Sequence, residues 1–492
     1  MSWYIGADLG TSSIKLTLMD EKGKALKTVS EEFPISFPQT GWSEQNPADW
    51  WRAFRKGVAA LASPAELKNI RGLCIDGQMH GLVALDEKGQ VIRPAILWND
   101  GRTGTEVNYL NQKIGTETLI QETGNIAYAG FTAPKILWMK KNEPELFKRI
   151  RHIMLPKDYI VYQLTGLFST DYSDAAGTLL FDVKNRRWSK KMLDLTGLTE
   201  TVLPALHETK DIVGKVSPQA SQETGLGVTA FVCAGAADNA GAALGVGAVS
   251  DGDCNISLGT SGTIFIDSDK FIHDPRGAIH AFNSASGTYC LLGCMLSAAS
   301  SLKWLNEDIL KTEDFASEQN LIKKERLGHN EVFFLPYLMG ERSPINNPEA
   351  RGLFIGMSLG TRREDLTQAV IEGVSFALRD SFEAAKSFGI EVKESSLTGG
   401  GSKSKLWREI LASILNIKLK SVSEEYGPSY GMGLACLVAD GIYPSLEAAK
   451  EALIKVSSVT EPDPELAALY EERYQKFRKI YPAVKELYSE LK

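Results

Sequence analysis

Apolar and polar positions change period along this chain, and the change divides it in two. Over the first ninety residues the pattern is one of strands and tight turns. Tyr4 to Ala7 leads into a turn at Asp8-Leu9-Gly10-Thr11-Ser12, and Ile14 to Met19 then alternates with the period of two that predicts a strand. Asp20-Glu21-Lys22-Gly23 supplies the acidic start and terminal glycine that hairpin turns favour, and Asp86-Glu87-Lys88-Gly89 repeats it between apolar runs. Trp50, Phe54, Val58 and Leu61 recur at helical spacing, predicting a helix over Pro47 to Leu61 laid on that sheet.

A longer repeat sets the domain plan. Ile5-Gly6-Ala7-Asp8-Leu9-Gly10-Thr11-Ser12 has a counterpart in Asn255-Ile256-Ser257-Leu258-Gly259-Thr260-Ser261-Gly262, and the two stand about half a chain length apart. Each Leu-Gly-Thr-Ser turn leads into a second strand-like run, Ile14 to Met19 or Thr263 to Asp267. Two similar hairpins opening two similar halves imply a duplicated domain with a cleft between the copies, split as 1–247 and 248–492. Asp238 to Leu244 follows a strand at Phe231 to Ala234 and is rich in small residues, which predicts a close-packed helix leading to the crossover.

The second half is more helical. Thr361-Arg362-Arg363-Glu364 reads as a capping box opening a helix whose apolar stripe is Leu366, Ala369, Val370, Val374, Ala377 and Leu378, with Gly389 as its stop. Ser396 to Thr398 reads as a strand entering Gly399-Gly400-Gly401-Ser402, followed by a helix with Trp407, Ile410, Leu411, Ile414 and Leu415 on one face. The last thirty residues read as a terminal surface helix.

Composition narrows the class. The 492 residues exceed what one hydrophobic core usually supports, so two domains of roughly 200–250 residues are expected. A net charge of −7 gives no footprint for nucleic acid. No apolar run approaches the roughly 18 residues of a membrane span, and no basic leader precedes the strand at Trp3. Six scattered cysteines without a C-x-x-C pair read as buried, reduced thiols. A cytoplasmic protein working apart from membranes and nucleic acid is the expectation.

The Leu-Gly-Thr-Ser turns combine glycine with hydroxyls and free backbone N–H groups, which can converge on phosphate oxygens; each alone is also an ordinary hairpin turn. The Gly-x-x-x-x-Gly-Lys-Ser/Thr loop and the His-Arg-Asp and Asp-Phe-Gly elements of protein kinases are missing. Asp8, at a strand end beside the first turn, could hold Mg²⁺ next to phosphates or simply bond its own hairpin. Asp238 is either a helix N-cap or a general base that accepts the proton of an attacking hydroxyl, with Asn239 beside it able to bond a substrate. Gly77-Gln78-Met79-His80-Gly81 offers two hydrogen-bonding groups and an apolar edge, a set suited to a polyol. Trp98-Asn99-Asp100-Gly101-Arg102 adds an aromatic wall with polar groups. Gly399 to Gly401 would let an adenine ring approach the backbone closely, and Gly431-Met432-Gly433 is a weaker candidate of the same kind.

Together these residues resemble the FGGY family of carbohydrate kinases, in the superfamily that also holds actin, hexokinase and the heat-shock chaperones. The resemblance runs from Tyr4 to about Gly441. It is most specific at Gly130-Phe131-Thr132-Ala133-Pro134-Lys135-Ile136-Leu137-Trp138-Met139 and between Gly352-Leu353-Phe354-Ile355-Gly356 and Ala369-Val370-Ile371-Glu372. The Gly77 to Gly81 loop, Pro94 to Arg102, Leu155 to Tyr159, Ser173 to Thr178, Met295 to Ser300 and Leu335 to Leu338 are similar to the branch acting on D-xylulose.

The resemblance implies an α/β fold of two ribonuclease-H-like domains around a cleft, the N-terminal one reading the sugar and the C-terminal one holding the nucleotide. It implies transfer of the γ-phosphoryl group of ATP, with Mg²⁺, to the terminal hydroxyl of D-xylulose. Asp238 becomes the base, Asp8 the organiser of Mg²⁺ and phosphate, and Met79 and His80 sugar contacts. Thr11, Ser12, Gly259, Thr260 and Ser261 become phosphate-turn residues, Gly399 and Gly400 fall at the adenosine site, and a homodimer is the common assembly. Tyr430 and Met432 depart from the family's smaller Ala/Gly-rich run and leave the adenosine pocket on that side open. A kinase for ribulose, gluconate or glycerol is the alternative within enzymes. An actin-like or chaperone-like nucleotide switch is the more distant one, and it has no use for the sugar loop.

Overall fold

The computed structural model describes residues 2–423 and 426–491. The first sheet is built from β1 (Trp3–Leu9), β2 (Ser13–Asp20) and β3 (Ala25–Glu32), followed after helix α1 (Pro47–Leu61) by β4 (Ile70–Gly77). Helices α2 (Pro156–Thr165) and α3 (Tyr172–Ala176) precede β5 (Ile212–Lys215), β6 (Phe231–Cys233), the short β7 (Ala236–Ala237) and α4 (Asp238–Gly245). The strand order is β5-β6-β4-β1-β2-β3, with β7 also pairing β4.

The second sheet repeats this plan. It contains β8 (Cys254–Leu258), β9 (Gly262–Ser268), β10 (His280–Asn283) and β11 (Tyr289–Met295). After α5 (Arg363–Lys386) come β12 (Glu394–Thr398), α6 (Lys405–Leu415), β13 (Lys418–Val422), α7 (Pro428–Ala439), β14 (Val456–Thr460) and α8 (Pro464–Phe477). Its order is β10-β11-β9-β8-β12-β13-β14. Read outward from β1 and from β8, the two sheets match strand for strand. Each has an antiparallel hairpin and third strand on one side, two parallel partners on the other and an antiparallel edge beyond them. β10 is the addition. The duplication expected from the two turns is therefore a duplicated topology.

The first sheet is covered on both faces, which is why β1 is nearly all apolar rather than alternating. On one face α1 buries Trp50, Phe54, Val58 and Leu61, each worth roughly 1.5–3 kcal/mol of transfer free energy. The other face takes α7, a helix from the second half of the sequence, so the two halves, 1–247 and 248–492, interpenetrate in space. That approach is close. A Cβ on Gly6 would lie 1.8 Å from the Ser429 carbonyl oxygen, and one on Gly431 2.4 Å from the Gly241 oxygen, so small residues on β1, α4 and α7 let three backbones meet.

This arrangement removes Gly431-Met432-Gly433 from the nucleotide candidates: Tyr430 and Met432 are buried in α7, and the Tyr430 hydroxyl donates to the Gly23 carbonyl at 2.9 Å. The apolar content of this stretch serves helix-on-sheet packing.

Two further expectations shift. Helix α5 starts later than the proposed capping box: Asp365, not Glu364, accepts the N–H of Arg362 at 2.8 Å, because the helix begins at Arg363. The terminal helix α8 is half core, with Tyr470, Tyr474 and Phe477 against Phe376 of α5 and the Arg473 guanidinium 2.6 Å from Glu372. All six cysteines are free thiols, and five are buried. Among the described residues no helix is long and apolar enough to cross a membrane.

Candidate active site

Parallel pairing brings the acidic strand ends together. Asp8 lies opposite Asp76 and Leu9 opposite Gly77 in the β1–β4 register, while Ala236 and Ala237 of β7 pair with Asp76 and Gly77. Helix α4 starts immediately after β7, so Asp238 in its first turn stands beside the same strand ends. Gly241, one turn on, leaves room for Asp76: a Cβ there would meet Asp76 Oδ2 at 2.1 Å.

Three carboxyl groups crowded together and partly dehydrated resist ionisation. Burial pushes Asp238 up to about 7, helped by the charge of Asp8 and opposed by two bonds to its Oδ1, from the Asn239 N–H at 2.7 Å and Nδ2 at 2.9 Å. Burial raises Asp8 to about 6, and Asp76 and Lys15 oppose the shift. Asp76, fully buried with neither oxygen hydrogen-bonded, is held well above the usual carboxylate range by burial and then by Asp8 and Asp238. The sequence reading missed Asp76; a single acid inside the apolar run before Gly77 was its signal.

The Gly77 to Gly81 loop, the candidate sugar loop, follows β4. The Gln78 N–H donates to the Leu9 carbonyl at 2.8 Å, and Gln78 Nε2 donates to Gln45 Oε1 at 2.9 Å, leaving Gln78 Oε1 buried and unpaired. Gln45 Nε2 reaches the Thr11 carbonyl at 2.6 Å, so one amide chain joins the loop to the first Gly-Thr-Ser turn. Met79 Sδ accepts a long bond of 3.8 Å from Asn239 Nδ2, which sets the loop against α4. His80 has φ +69°, a left-handed conformation uncommon outside glycine, stabilised by bonds to its carbonyl from Thr132 Oγ1 and Lys135 Nζ. Its Nδ1 lies 2.7 Å from the Gly177 carbonyl. Burial, with the charges of Lys135 and Arg342, holds the imidazole far below its usual range, so it is neutral.

A buried ionic group, which the sequence reading left without a role, holds the Gly77 to Gly81 loop and the start of α4 together. Lys157 Nζ is 2.5 Å from Asp158 and 3.0 Å from Asp171. Asp171 caps α3 through the Ser173 and Asp174 N–H groups and also accepts a hydrogen bond from the Ser173 hydroxyl. That hydroxyl accepts the N–H of Ala237, the residue before Asp238, at 3.0 Å. The far end of α3 is Gly177, which holds His80.

Other candidates fall in two groups. Trp98 Nε1 donates to Thr11 Oγ1 at 3.0 Å, setting the aromatic wall beside the first turn. Asp100 does not face the cleft. It is 1% exposed, and its oxygens take the N–H of Ser43 and the N–H, Nε and NH2 of Arg102, leaving no acceptor for a sugar. Its role is to fix Arg102, whose guanidinium lies 3.6 Å from the centre of the Trp42 ring.

The second turn opens on a different space. Thr11, Ser12, Gly259, Thr260 and Ser261 all lie in the two hairpin turns, with Ser12 and Thr260 exposed. The carbonyl of Thr260 accepts the N–H of Ala298 at 2.9 Å and the Ser300 hydroxyl at 2.7 Å. Gly399 (φ +84°) presses on the second turn so closely that a Cβ would lie 2.7 Å from the Gly259 nitrogen, while a Cβ on Gly400 would meet open space. A cavity of about 1080 Å³ begins here, between Gly259, Thr260, Gly400, Lys403, Gln319 and Trp407. That volume suits a nucleoside.

The oxygen donors suit a hard cation carried by phosphate. Among the described residues no three His, Cys, Asp or Glu converge as a metal cage. Asp8, with the unpaired oxygens of Asp76 behind it, is the kind of sparse carboxylate site that Mg²⁺ uses when phosphates and water complete its shell.

Two sheets of matched topology define the two-domain fold of actin and hexokinase. The N-terminal domain model of the FGGY family of carbohydrate kinases matches residues 3–245, and the C-terminal model matches residues 254–439. This chain belongs to the FGGY family of carbohydrate kinases: it is a phosphotransferase that uses ATP. A xylulose kinase of Escherichia coli (strain K12) is 39% identical over 484 residues, 97% of this chain and 98% of its own. The crystal structure of a xyloylose kinase from Brucella ovis superposes with a TM-score of 0.93 at 39% identity, over 99% of this chain and 100% of that one. A gluconate kinase from Lactobacillus acidophilus gives a TM-score of 0.94 at 24% identity over 100% of both chains, a likeness of fold alone.

Proposed function

We propose that this kinase transfers the γ-phosphoryl group of ATP to the terminal hydroxyl of D-xylulose, giving D-xylulose 5-phosphate. The observation that carries the reading is the join between Asp238 and the Gln78-Met79-His80 loop, two features anchored on one buried helix, α3. The similarity to proteins named xylulose kinase, over nearly the whole chain, supports the sugar.

In this mechanism Asp238 accepts the proton of the attacking hydroxyl as its oxygen bonds to the γ-phosphorus and the bond to the bridging oxygen of ADP breaks. A carboxyl near 7 is ionised often enough at neutral pH to serve, yet basic enough to take the proton late. Asn239 keeps Asp238 oriented and presents its amide to the sugar. His80 offers Nε2, and Gln78 its free Oε1, as acceptors for sugar hydroxyls; Met79 supplies the apolar edge. Thr11, Ser12, Gly259, Thr260 and Ser261 bind phosphate oxygens from the two turns, and Gly399 and Gly400 lie along the adenosine. Asp8 would hold Mg²⁺, which neutralises charge on the β- and γ-phosphates. Closing the halves, residues 1–247 for the sugar and 248–492 for the nucleotide, keeps water from competing for the phosphoryl group. The reading includes a cytoplasmic homodimer with small-molecule substrates only.

Coupled ADP release across D-xylulose, D- and L-ribulose, L-xylulose, gluconate and glycerol tests the substrate. The expected result is a kcat/KM for D-xylulose about tenfold or more above the others, a margin within reach of one hydrogen bond lost or left unpaired. Another winner would overturn the sugar and leave the kinase.

A further inference from the structure

Residues of the second half of the chain pack against the Gly77 to Gly81 loop, the centre of the Phe282 ring lying 6.3 Å from that of His80. Asn125 grips β10 at both backbone groups of Ala281, donating to its carbonyl at 2.8 Å and accepting from its N–H at 3.1 Å. The Tyr128 hydroxyl donates to the Gly277 carbonyl at 2.6 Å. Docked this way, β10 completes an aromatic cluster with His80. The centroids of His80 and Phe131 are 4.6 Å apart, those of Phe131 and His280 5.5 Å, and those of His280 and Phe282 5.3 Å.

Two polar side chains of the second half enter this cluster without partners. His280 is 2% exposed, and neither ring nitrogen has a hydrogen-bond partner. Arg342 is half-buried, with its guanidinium 5.9 Å from the centre of the Tyr128 ring and its NH2 3.7 Å from where a Cβ of Gly130 would stand. Among the described residues no carboxylate lies within ion-pair distance of that guanidinium and no group accepts a hydrogen bond from it. Its neighbour Glu341 spends one oxygen on the N–H groups of Leu296 and Arg342. The position of Arg342 is also felt electrically: its charge lowers His80 and His280 after burial does, and the Cys294 thiol senses both Arg342 and Asp238. Arg342 therefore lies beside Tyr128 and Gly130 and within electrostatic reach of His80 and His280.

A guanidinium is always charged and only donates. Holding one half-dehydrated beside apolar rings and an unpaired imidazole costs stability, and an acceptor that arrives with the substrate would offset the cost. The chemistry of the substrate supplies that acceptor. A ketopentose whose terminal hydroxyl is free to attack cannot be closed as a furanose, because closure consumes that oxygen. It is open-chain, and its C2 carbonyl is an exposed, acceptor-only oxygen.

We propose that Arg342, reaching from the second half of the chain into the sugar pocket beside His280, binds the C2 carbonyl of the open-chain sugar and so selects ketoses over the corresponding polyols. The inference rests on the ketopentose reading above. It makes the sugar site a joint product of the two halves, incomplete until they pack.

The test compares D-xylulose with xylitol, its C2-reduced form, on wild-type enzyme, Arg342→Met and Arg342→Lys, with ATP affinity and melting temperature measured in parallel. Arg342→Met is expected to raise the sugar KM about tenfold or more, to leave ATP affinity within about twofold, and to shrink the preference for D-xylulose over xylitol about tenfold, the worth of one charge-assisted hydrogen bond. Arg342→Lys, which keeps the charge without the planar fork, should fall between. An unchanged sugar KM in Arg342→Met, or an equal loss on ketose and polyol, would overturn the proposal. If Arg342→Met does not fold, Arg342→Lys carries the same comparison. Failure of the ketopentose reading shows separately, in the wild type: an enzyme that prefers a substrate with no carbonyl overturns both.

Discussion

His80 Nδ1 stands 2.7 Å from the carbonyl oxygen of Gly177. A carbonyl can only accept, so Nδ1 carries the proton of this neutral ring and Nε2 keeps its lone pair. One backbone oxygen at the end of α3 thereby fixes the tautomer of this histidine, the acceptor form that the proposed sugar contact needs. The same helix holds Ala237 through Ser173, so the His80 ring and Asp238, the proposed base, share a support.

His80→Asn should raise the sugar KM about tenfold, the worth of one hydrogen bond to a substrate hydroxyl, and leave the ATP KM within about twofold. Asparagine tolerates the left-handed backbone of position 80, so the loop keeps its path. Steady-state kinetics in both substrates decide it. An unchanged sugar KM would remove His80 from the pocket.

Asp100 should behave in the opposite way. Asp100→Ala leaves the buried Arg102 guanidinium with Glu44 at 2.7 Å as its one carboxylate partner among the described residues, and should cost about 3 kcal/mol of stability. Urea unfolding measures that loss. An undiminished stability combined with a large rise in sugar KM would return Asp100 to the sugar site.

These two residues show what sequence reading can and cannot do. Trp98 to Arg102 was legible as a polar run near an aromatic wall, but not which of its groups Arg102 and Ser43 would consume. The sheet hairpins, α1, α6 and the close packing of α4 followed from local period and residue size. The position of α7 did not. Its partners Gly6 and Gly241 lie hundreds of positions away, and a Gly-Met-Gly run reads as well for a nucleotide as for a neighbouring backbone. Asp76 and Arg342 escaped for a related reason: each matters through what the other strands and the other half leave beside it. That Asp8 and Asp238 stand beside strand ends was legible, because Asp8 precedes the turn after β1 and Asp238 opens the helix that follows β7.

Asp267 of β9 gives a test at a distance from the chemistry. Burial pushes its carboxyl up to about 8, against bonds from Thr288 Oγ1 at 3.1 Å and Ser286 Oγ at 3.3 Å. The folded value lies above the unfolded one of about 3.9. Its contribution is therefore fully present below pH of about 4 and is lost as pH rises through about 8. The melting temperature of Asp267→Asn minus that of the wild type should climb across this window. A flat difference would mean that Asp267 is ionised in the folded protein.

The central claim is that Asp238 is the base. Asp238→Ala, assayed for D-xylulose-dependent ADP release alongside direct ATP binding, tests it most directly. The account predicts ATP affinity within about threefold of the wild type and a kcat lowered about 10³-fold, the usual worth of a positioned general base. A variant that retained more than about a tenth of the wild-type turnover would contradict it, because a lost base costs far more than that.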